Sequence, residues 1–261
     1  MCPVGARMLL GGDPRIVCHV LLVEGSDGLT LVDTGFGTDD VRNPPRSSRP
    51  FNLMMRPRLE LGETALSQVR ELGLDPADVR RIVLTHLDID HAGGLPDFPK
   101  AEVHVWAREH EAMVRPPLRE RVRYAIGSPH WAHGPVWVTH ELDGDEWLGF
   151  EGVRVVPGSD PEILLIPLPG HTLGHTGIAV RDRDGWLLHC GDAYFHREEM
   201  AKPPHCPPGL RAFQVLVQAD GKLRRQNQER LREFAQRHAG EVELLCSHDA
   251  ALLEKARSRQ S

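Results

Sequence analysis

Four metal-competent side chains fall within six residues in the run His86-Leu87-Asp88-Ile89-Asp90-His91. Neutral imidazole and carboxylate are good ligands for zinc, iron and manganese. In a turn after a strand, alternate side chains converge on one point, while Asp90 and His91 can reach a second. The plain alternative is a solvated loop with an acidic pair. Three further segments weigh against it. Pro169-Gly170-His171-Thr172-Leu173-Gly174-His175-Thr176 places a histidine after an apolar run and a tight turn. Cys190-Gly191-Asp192 places a carboxylate after another apolar run, and Ser247-His248 repeats the pattern near the end. Each alone is weak, because a lone histidine more often serves packing than a metal. The set, in this order, is specific.

The elements that must position these residues alternate between strand and helix. Residues 15–24 and 29–33 are apolar runs around the turn signal Gly25-Ser26-Asp27-Gly28, which predicts a β-hairpin ending in Asp33-Thr34-Gly35. Residues 36–62 carry Pro44, Pro45, Pro50 and Pro57 with little periodicity, which reads as a long loop or lid. Leu66, Val69 and Leu72, stopped by Gly73, predict a helix over 64–72. Asp75-Pro76 has the form of an N-cap with proline at the first helical position. Strands are expected at 82–84, 102–106, 136–139, 153–156, 163–168 and 242–246, with a hairpin of 177–180 and 186–190 around the turn 182–185. Helices are expected after residue 106 through Met113, and over 222–238 with Leu223, Leu231 and Phe234 inward. Two successive mixed α/β blocks result, each ending in candidate ligands on loops after strands. That concentrates polar chemistry at one edge of a packed sheet scaffold.

The chain has 261 residues, which suits a single domain over 1–261. Its formal charge of -6 gives no reason to expect a nucleic-acid backbone as partner. The longest apolar stretches are too short to span a bilayer. Met1-Cys2-Pro3 does not open a secretory signal, so a cytoplasmic protein is expected. Five cysteines, odd in number and without C-x-x-C spacing, argue for reduced thiols rather than disulfides or a zinc ribbon. Of the 15 histidines, those at 104, 110, 130, 133, 140, 189, 196, 205 and 238 have no partner pattern, and structural or solvated roles suit them. Lys222, Arg224 and Arg225, and later Lys255, Arg257 and Arg259, have the look of solvated helix faces.

With Val32-Asp33-Thr34-Gly35 added, the anchors resemble those of the metallo-β-lactamase superfamily. That family carries a strand followed by H-x-H-x-D-H, a later P-G-H-T-x-G-H-like segment, a G-D aspartate and a C-terminal histidine. The resemblance runs from Asp33 to His248 and implies an αββα sandwich with a dinuclear site at the sheets' shared edge. Two divalent metal ions are implied, zinc foremost, with iron or manganese as alternatives. His86, Asp88 and His171 would bind the first, and Asp90, His91 and His248 the second, with Asp192 bridging both. Asp33 corresponds to a residue that supports the ligands or structures its loop, and His175 to a brace for the His171 loop. Position 88 departs from the pattern, which has histidine there. A carboxylate still ligates, but it adds negative charge and shifts the preferred metal.

The reaction implied is hydrolysis by a water held between two cations and acidified toward neutral pH, with Asp90 orienting it and then protonating the leaving group. Lactonases of this fold carry a tyrosine three residues after the matching aspartate. Here Tyr194 follows Asp192 by two, so it is either an oxyanion donor or a core tyrosine. The leading expectation is an ester or lactone hydrolase acting on a small molecule, of the acyl-homoserine-lactonase type. Phe51, Leu53, Met54 and Met55 could then cover an acyl chain or belong to the core. The alternatives are a glutathione thioesterase of the hydroxyacylglutathione-hydrolase type, whose basic contacts would lie near 222–225, a β-lactamase, or an RNA-processing relative.

Overall fold

Leu21–Gly25 (β1) and Gly28–Val32 (β2) form the expected antiparallel hairpin, with Gly25 opposite Gly28. The first strand begins later than the apolar run, and Ile16 makes only an isolated bridge to Asp249. This computed structural model describes residues 16–141, 143–182 and 185–258. Cys2, Arg15, the hairpin centre at 183–184 and Arg259 therefore lie outside the described residues.

From β2 the chain runs through three helices, Thr38–Arg42 (α1), Arg49–Met55 (α2) and Ala65–Glu71 (α3), to Val79–Val83 (β3). Ile89–Ala92 (α4) leads to Glu102–Trp106 (β4), and Ala107–Val114 (α5) and Arg121–Gly127 (α6) lead to Val136–His140 (β5). The first sheet has the order β1-β2-β3-β4-β5, parallel from β2 onward. Parallel neighbours need a crossover, and the helices supply it.

The second sheet contains Asp145–Trp147 (β6), Phe150–Val155 (β7), Ile163–Pro167 (β8), Thr176–Asp182 (β9), Gly185–His189 (β10) and Val242–Leu245 (β11). Its order is β11-β10-β9-β8-β7-β6, antiparallel except for β10 with β11. Pro208–Val217 (α7) and Gly221–Arg237 (α8) cross from β10 to β11, and Ala250–Arg257 (α9) follows.

Side-chain alternation creates the layers. Leu29, Leu31 and Ile82 face a core shared with Ala65, Val69 and Ala112 of the helices, while Val32 and Val83 face the other way. In the second sheet Leu164, Ile166, Ala179 and Leu188 pack under Leu231 and Phe234 of α8, while Ile163, Leu165 and Ile178 turn inward. Val32, Val83, Val156, Ile163, Leu165, Ile178 and Val180 fill the space between the sheets. Each such side chain contributes about 1.5–3 kcal/mol by leaving water. Helices, sheet, sheet and helices form the αββα sandwich.

Two local expectations are corrected. Residues 36–62 are not a structureless loop: they hold α1, the 3-10 turn Arg46–Ser48 and α2. The prolines start these turns instead of breaking them. Pro45 caps the 3-10 turn and Pro50 lies in the first turn of α2, where no intrahelical N–H is needed. Arg224 is not solvated either. It is buried on α8, donating to Gln218 Oε1 at 2.9 Å and Gln214 Oε1 at 2.8 Å.

Candidate metal centre

Topology explains why distant residues meet. β8, β10 and β11 run in one direction, so the loops after them leave from the same edge. His171, Asp192 and His248 sit on those loops. β2 and β3 are parallel and deliver Asp33 and the 86–91 run. The two sheets are stitched at this edge, where Thr176 N donates to Thr85 O at 2.9 Å, and within the second sheet Ser247 N donates to Gly191 O at 3.1 Å. Gly191 turns with φ +53, and a Cβ there would stand 2.5 Å from His175 Nε2. Only glycine lets that turn present Asp192 so close to the histidines.

All seven proposed ligands come together. Asp192 lies between two groups. Its Oδ2 is 3.9 Å from His86 Nε2 and 3.4 Å from His171 Nε2. Its Oδ1 is 3.3 Å from His91 Nε2 and 3.0 Å from His248 Nε2, whose hydrogen bond goes to Oδ2 at 3.1 Å. Asp88 Oδ2 is 3.5 Å from His86 Nε2 and 3.0 Å from His171 Nε2. Asp90 Oδ2 is 3.9 Å from His91 Nε2 and 3.7 Å from His248 Nε2.

The neighbours orient these groups. Asp33 receives Thr85 N at 2.8 Å and the Thr85 hydroxyl, and its Oδ2 is 2.8 Å from His91 Nδ1. His175 does more than hold its own loop. Its Nδ1 meets Leu168 O at 3.0 Å, and its Nε2 accepts from Asp192 N at 2.9 Å, so it also fixes the backbone of Asp192. His248 Nδ1 is held by Val17 O at 2.8 Å. Burial lowers His86 to about 4, with the His91 charge adding to the effect. His175 is held well below its ordinary value by burial and by His86 and His171. At His91 and His248 burial is outweighed by the surrounding aspartates, and both are raised. Asp192 is held well below the usual carboxylate range because His248, His91 and His171 outweigh its burial.

Three residues at this edge have no sequence motif. Glu109 of α5 is fully buried and accepts from Leu87 N, Tyr124 OH, Thr172 Oγ1 and Gly174 N at 2.7–3.1 Å. It ties the 86–91 run to the His171 loop. Arg123 of α6 places Nη1 2.5 Å from Asp88 Oδ2. Burial alone would raise Asp88, but Arg123, His171 and His86 hold it well below the carboxylate range. Cys18 brings its thiol within 4.8 Å of ligand atoms of Asp90 and His248. An unpaired aspartate in place of a histidine was the one signal pointing to a counter-charge such as Arg123. Among the discounted histidines, His104 and His140 stack on each other, and His189 braces Gly191 N at 3.2 Å.

Tyr194 is not brought to the cluster. It is 1% exposed in the core under α8, beside the Cys190 thiol and Leu231. Its spacing of two residues from Asp192, not the three that the family resemblance implied, accompanies this inward placement.

The residues fit metal ions. His86 Nε2, His91 Nε2 and Asp192 Oδ1 are buried, face the cluster and lack any hydrogen bond. Such orphaned groups are costly unless something else satisfies them. His86, Asp88 and His171 form one compact donor set, and His86, His91 and Asp192 another. Several separations lie near the roughly 3.3 Å expected between donors on one tetrahedral zinc.

Comparisons with known proteins agree with this geometry. The chain is 44% identical over 243 residues to a probable metallo-hydrolase of Mycobacterium tuberculosis, covering 93% of this chain and 77% of the relative. It is 30% identical over 203 residues to the N-acyl homoserine lactonase AttM of Rhizobium johnstonii, covering 74% and 72%. The solved structure of an N-acyl homoserine lactone hydrolase, with the product N-hexanoyl-L-homoserine at its catalytic metal centre, shares the fold. It gives a TM-score of 0.65 at 22% identity, covering 98% of this chain and 91% of that one. A family model described as the metallo-beta-lactamase superfamily matches residues 13–244. With ligand-bearing loops gathered at the edge shared by two sheets, and that match along most of its length, the chain belongs to the metallo-β-lactamase superfamily.

Proposed function

We propose that this chain is a dinuclear, zinc-preferring hydrolase that opens an ester or lactone bond of an acyl-bearing small molecule in the cytoplasm. The observation that carries the reading is the position of Asp192, with Oδ2 toward His86 and His171, Oδ1 toward His91, and His248 against both oxygens. A carboxylate so placed can hold two cations at a fixed separation. Bound divalent cations would acidify a water and polarise the substrate carbonyl.

The chain's own groups do the rest. His86, Asp88 and His171 hold one cation position; Asp90, His91 and His248 hold the other. Asp90 is more open than the histidines, with 17% of its side chain exposed. It stands where a carboxylate can orient the attacking water, take its proton and return it to the departing oxygen. Asp33, Glu109 and His175 keep the donors in place. The lactonases among the relatives support a lactone as substrate. The four described cysteines are free thiols, in keeping with a reducing compartment. Among the described residues no helix is long and apolar enough to cross a membrane.

The test is metal analysis of purified protein, followed by chelation and reconstitution. Assays would use acyl-homoserine lactones, simple aryl esters and glutathione thioesters. Two ions per chain, loss of activity on chelation and preference for lactones are expected. Undiminished activity without metal would overturn the reading.

A further inference from the structure

The added negative charge of Asp88 has a buried partner. Arg123 Nη1 stands 2.5 Å from Asp88 Oδ2 and 3.2 Å from His171 Nε2. Its Nε lies 2.9 Å from Glu120 Oε2, and its Nη2 donates to Val217 O. Glu120 and Val217 thus grip the guanidinium from behind and aim one edge at the ligands. Only 13% of the Arg123 side chain is exposed.

A fixed cation beside a metal triad repels the metal, and little solvent is present to screen it. Such a residue is tolerable where a ligand offsets it. A carboxylate has about four acceptor sites, so Asp88 can accept from a guanidinium and still offer lone pairs to an ion. An imidazole cannot, because its single acceptor nitrogen is spent on the metal. Lysine would not hold the carboxylate in the same way, since it lacks the rigid fork that Glu120, Asp88 and Val217 grip here.

We propose that Asp88 and Arg123 act as one charge-balanced unit in place of a neutral imidazole at the first metal position, with Arg123 as the positioning residue for Asp88. This rests on reading His86, Asp88 and His171 as a metal triad. The unit removes the reason to expect a more anionic first site with altered metal preference. It also makes the two residues exchangeable only together.

The test is a double-mutant cycle on zinc affinity. The wild type, Asp88→His, Arg123→Gln and the double variant would be titrated with zinc against a chromophoric chelator, and the melting temperature of each metal-free protein recorded. Asp88→His alone leaves the guanidinium with Glu120 behind it and no carboxylate on the metal side, and should weaken first-site zinc by about tenfold or more, the scale of losses when a metal site's supporting partners are removed. Arg123→Gln alone should not tighten zinc, because the lost positioning of Asp88 offsets the removed repulsion, and it should lower the melting temperature of the metal-free protein. The double variant should return to within about threefold of wild type, a coupling that independent sites would not show. If Asp88→His does not fold, Asp88→Asn removes the same charge at the same size and should show the same weakening. Additive effects, or Asp88→His or Asp88→Asn binding zinc as tightly as wild type, would overturn the unit while leaving the dinuclear reading intact. Wild-type protein that binds fewer than two zinc ions would overturn the triad and the unit together.

Discussion

Asp33 Oδ2 and His91 Nδ1 face each other at 2.8 Å across 58 residues of chain. Asp33 adopts φ +57, a left-handed conformation that asparagine and aspartate tolerate better than other side chains. From there its carboxylate reaches both Thr85 and His91. With Nδ1 engaged, His91 presents Nε2 to the cluster. Asp33→Asn keeps the backbone preference and loses the charge. It should weaken zinc binding by about 10–100-fold, the usual cost of removing a ligand's supporting carboxylate. Competitive chelator titration measures this, and circular dichroism checks that the fold persists. An unchanged affinity would remove Asp33 from the site.

Glu109 is a buried carboxylate with four donors. Glu109→Ala strands them, and each unsatisfied buried group costs about 1–3 kcal/mol. A loss of at least about 3 kcal/mol in urea denaturation is expected, with weaker metal binding because two ligand loops are released together. Glu109→Gln should fall between alanine and wild type, since its amide keeps one acceptor. A loss below about 1 kcal/mol for the alanine variant would show that the loops are held by other contacts.

The clustering of the candidate ligands was legible because chemistry and local pattern coincide: each of the four segments ends an apolar strand in a turn that carries His or Asp. The hairpins and the α8 helix were legible for the same reason, through period and turn residues. What escaped was set by tertiary contact. Glu109 lies on an ordinary amphipathic helix, and nothing local says that Thr172, 63 residues away, will donate to it. Arg123 carried no sequence signal and Arg224 read as a surface cation, because a sequence does not reveal which side of a helix is buried. The 36–62 segment was misread because its prolines look like breakers, while in the fold they start turns.

His130 and Asp40 test electrostatics away from the metal. His130 Nε2 is 2.7 Å from Asp40 Oδ1, and both are buried. Burial alone would lower His130, but Asp40 outweighs it and raises the imidazole above its ordinary 6.5. A raised folded value means that the charged histidine stabilises the fold fully below about pH 6.5. That contribution fades as pH rises through the folded value. His130→Ala should therefore cost up to about 3 kcal/mol at pH 6 and less at pH 8. Urea midpoints of both proteins at the two pH values give the difference, which cancels the other histidines. An equal cost at both pH values would show that His130 contributes by packing alone.

Tyr194 and Asp192 should separate cleanly. Tyr194→Phe removes a hydroxyl that lies in the core, so lactone and ester turnover should stay within about twofold, with a stability change near 1 kcal/mol. Asp192→Ala removes the group between both donor sets, so both zinc ions should be lost together. Turnover that falls tenfold or more in Tyr194→Phe, at unchanged metal content, would restore the tyrosine as an oxyanion donor.

The proposed acyl tail is expected to bind against the exposed apolar residues of α2, α6 and α7. Phe51 of α2 packs on Phe36 with ring centroids 6.1 Å apart, and Leu53 and Met54 beside it are 75% and 51% exposed. α6 and α7 also expose Val122, Val215 and Leu216, and Arg123 connects these helices through His171 and Val217. If these residues receive an acyl tail, burial of that tail should show in turnover. Each methylene buried contributes up to about 0.8 kcal/mol, or about fourfold in kcat/KM. Turnover of homoserine lactones should therefore rise with acyl length and then level off. The paired change Leu53→Ser and Met54→Ser should flatten that rise with little effect on the shortest lactone. A glutathione thioesterase would show no such dependence and would need cationic contacts. Within 222–225, Arg224 is engaged with Gln214 and Gln218, while Lys222 and Arg225 are exposed. A flat length profile together with a strong preference for glutathione thioesters would replace the lactone reading with that one.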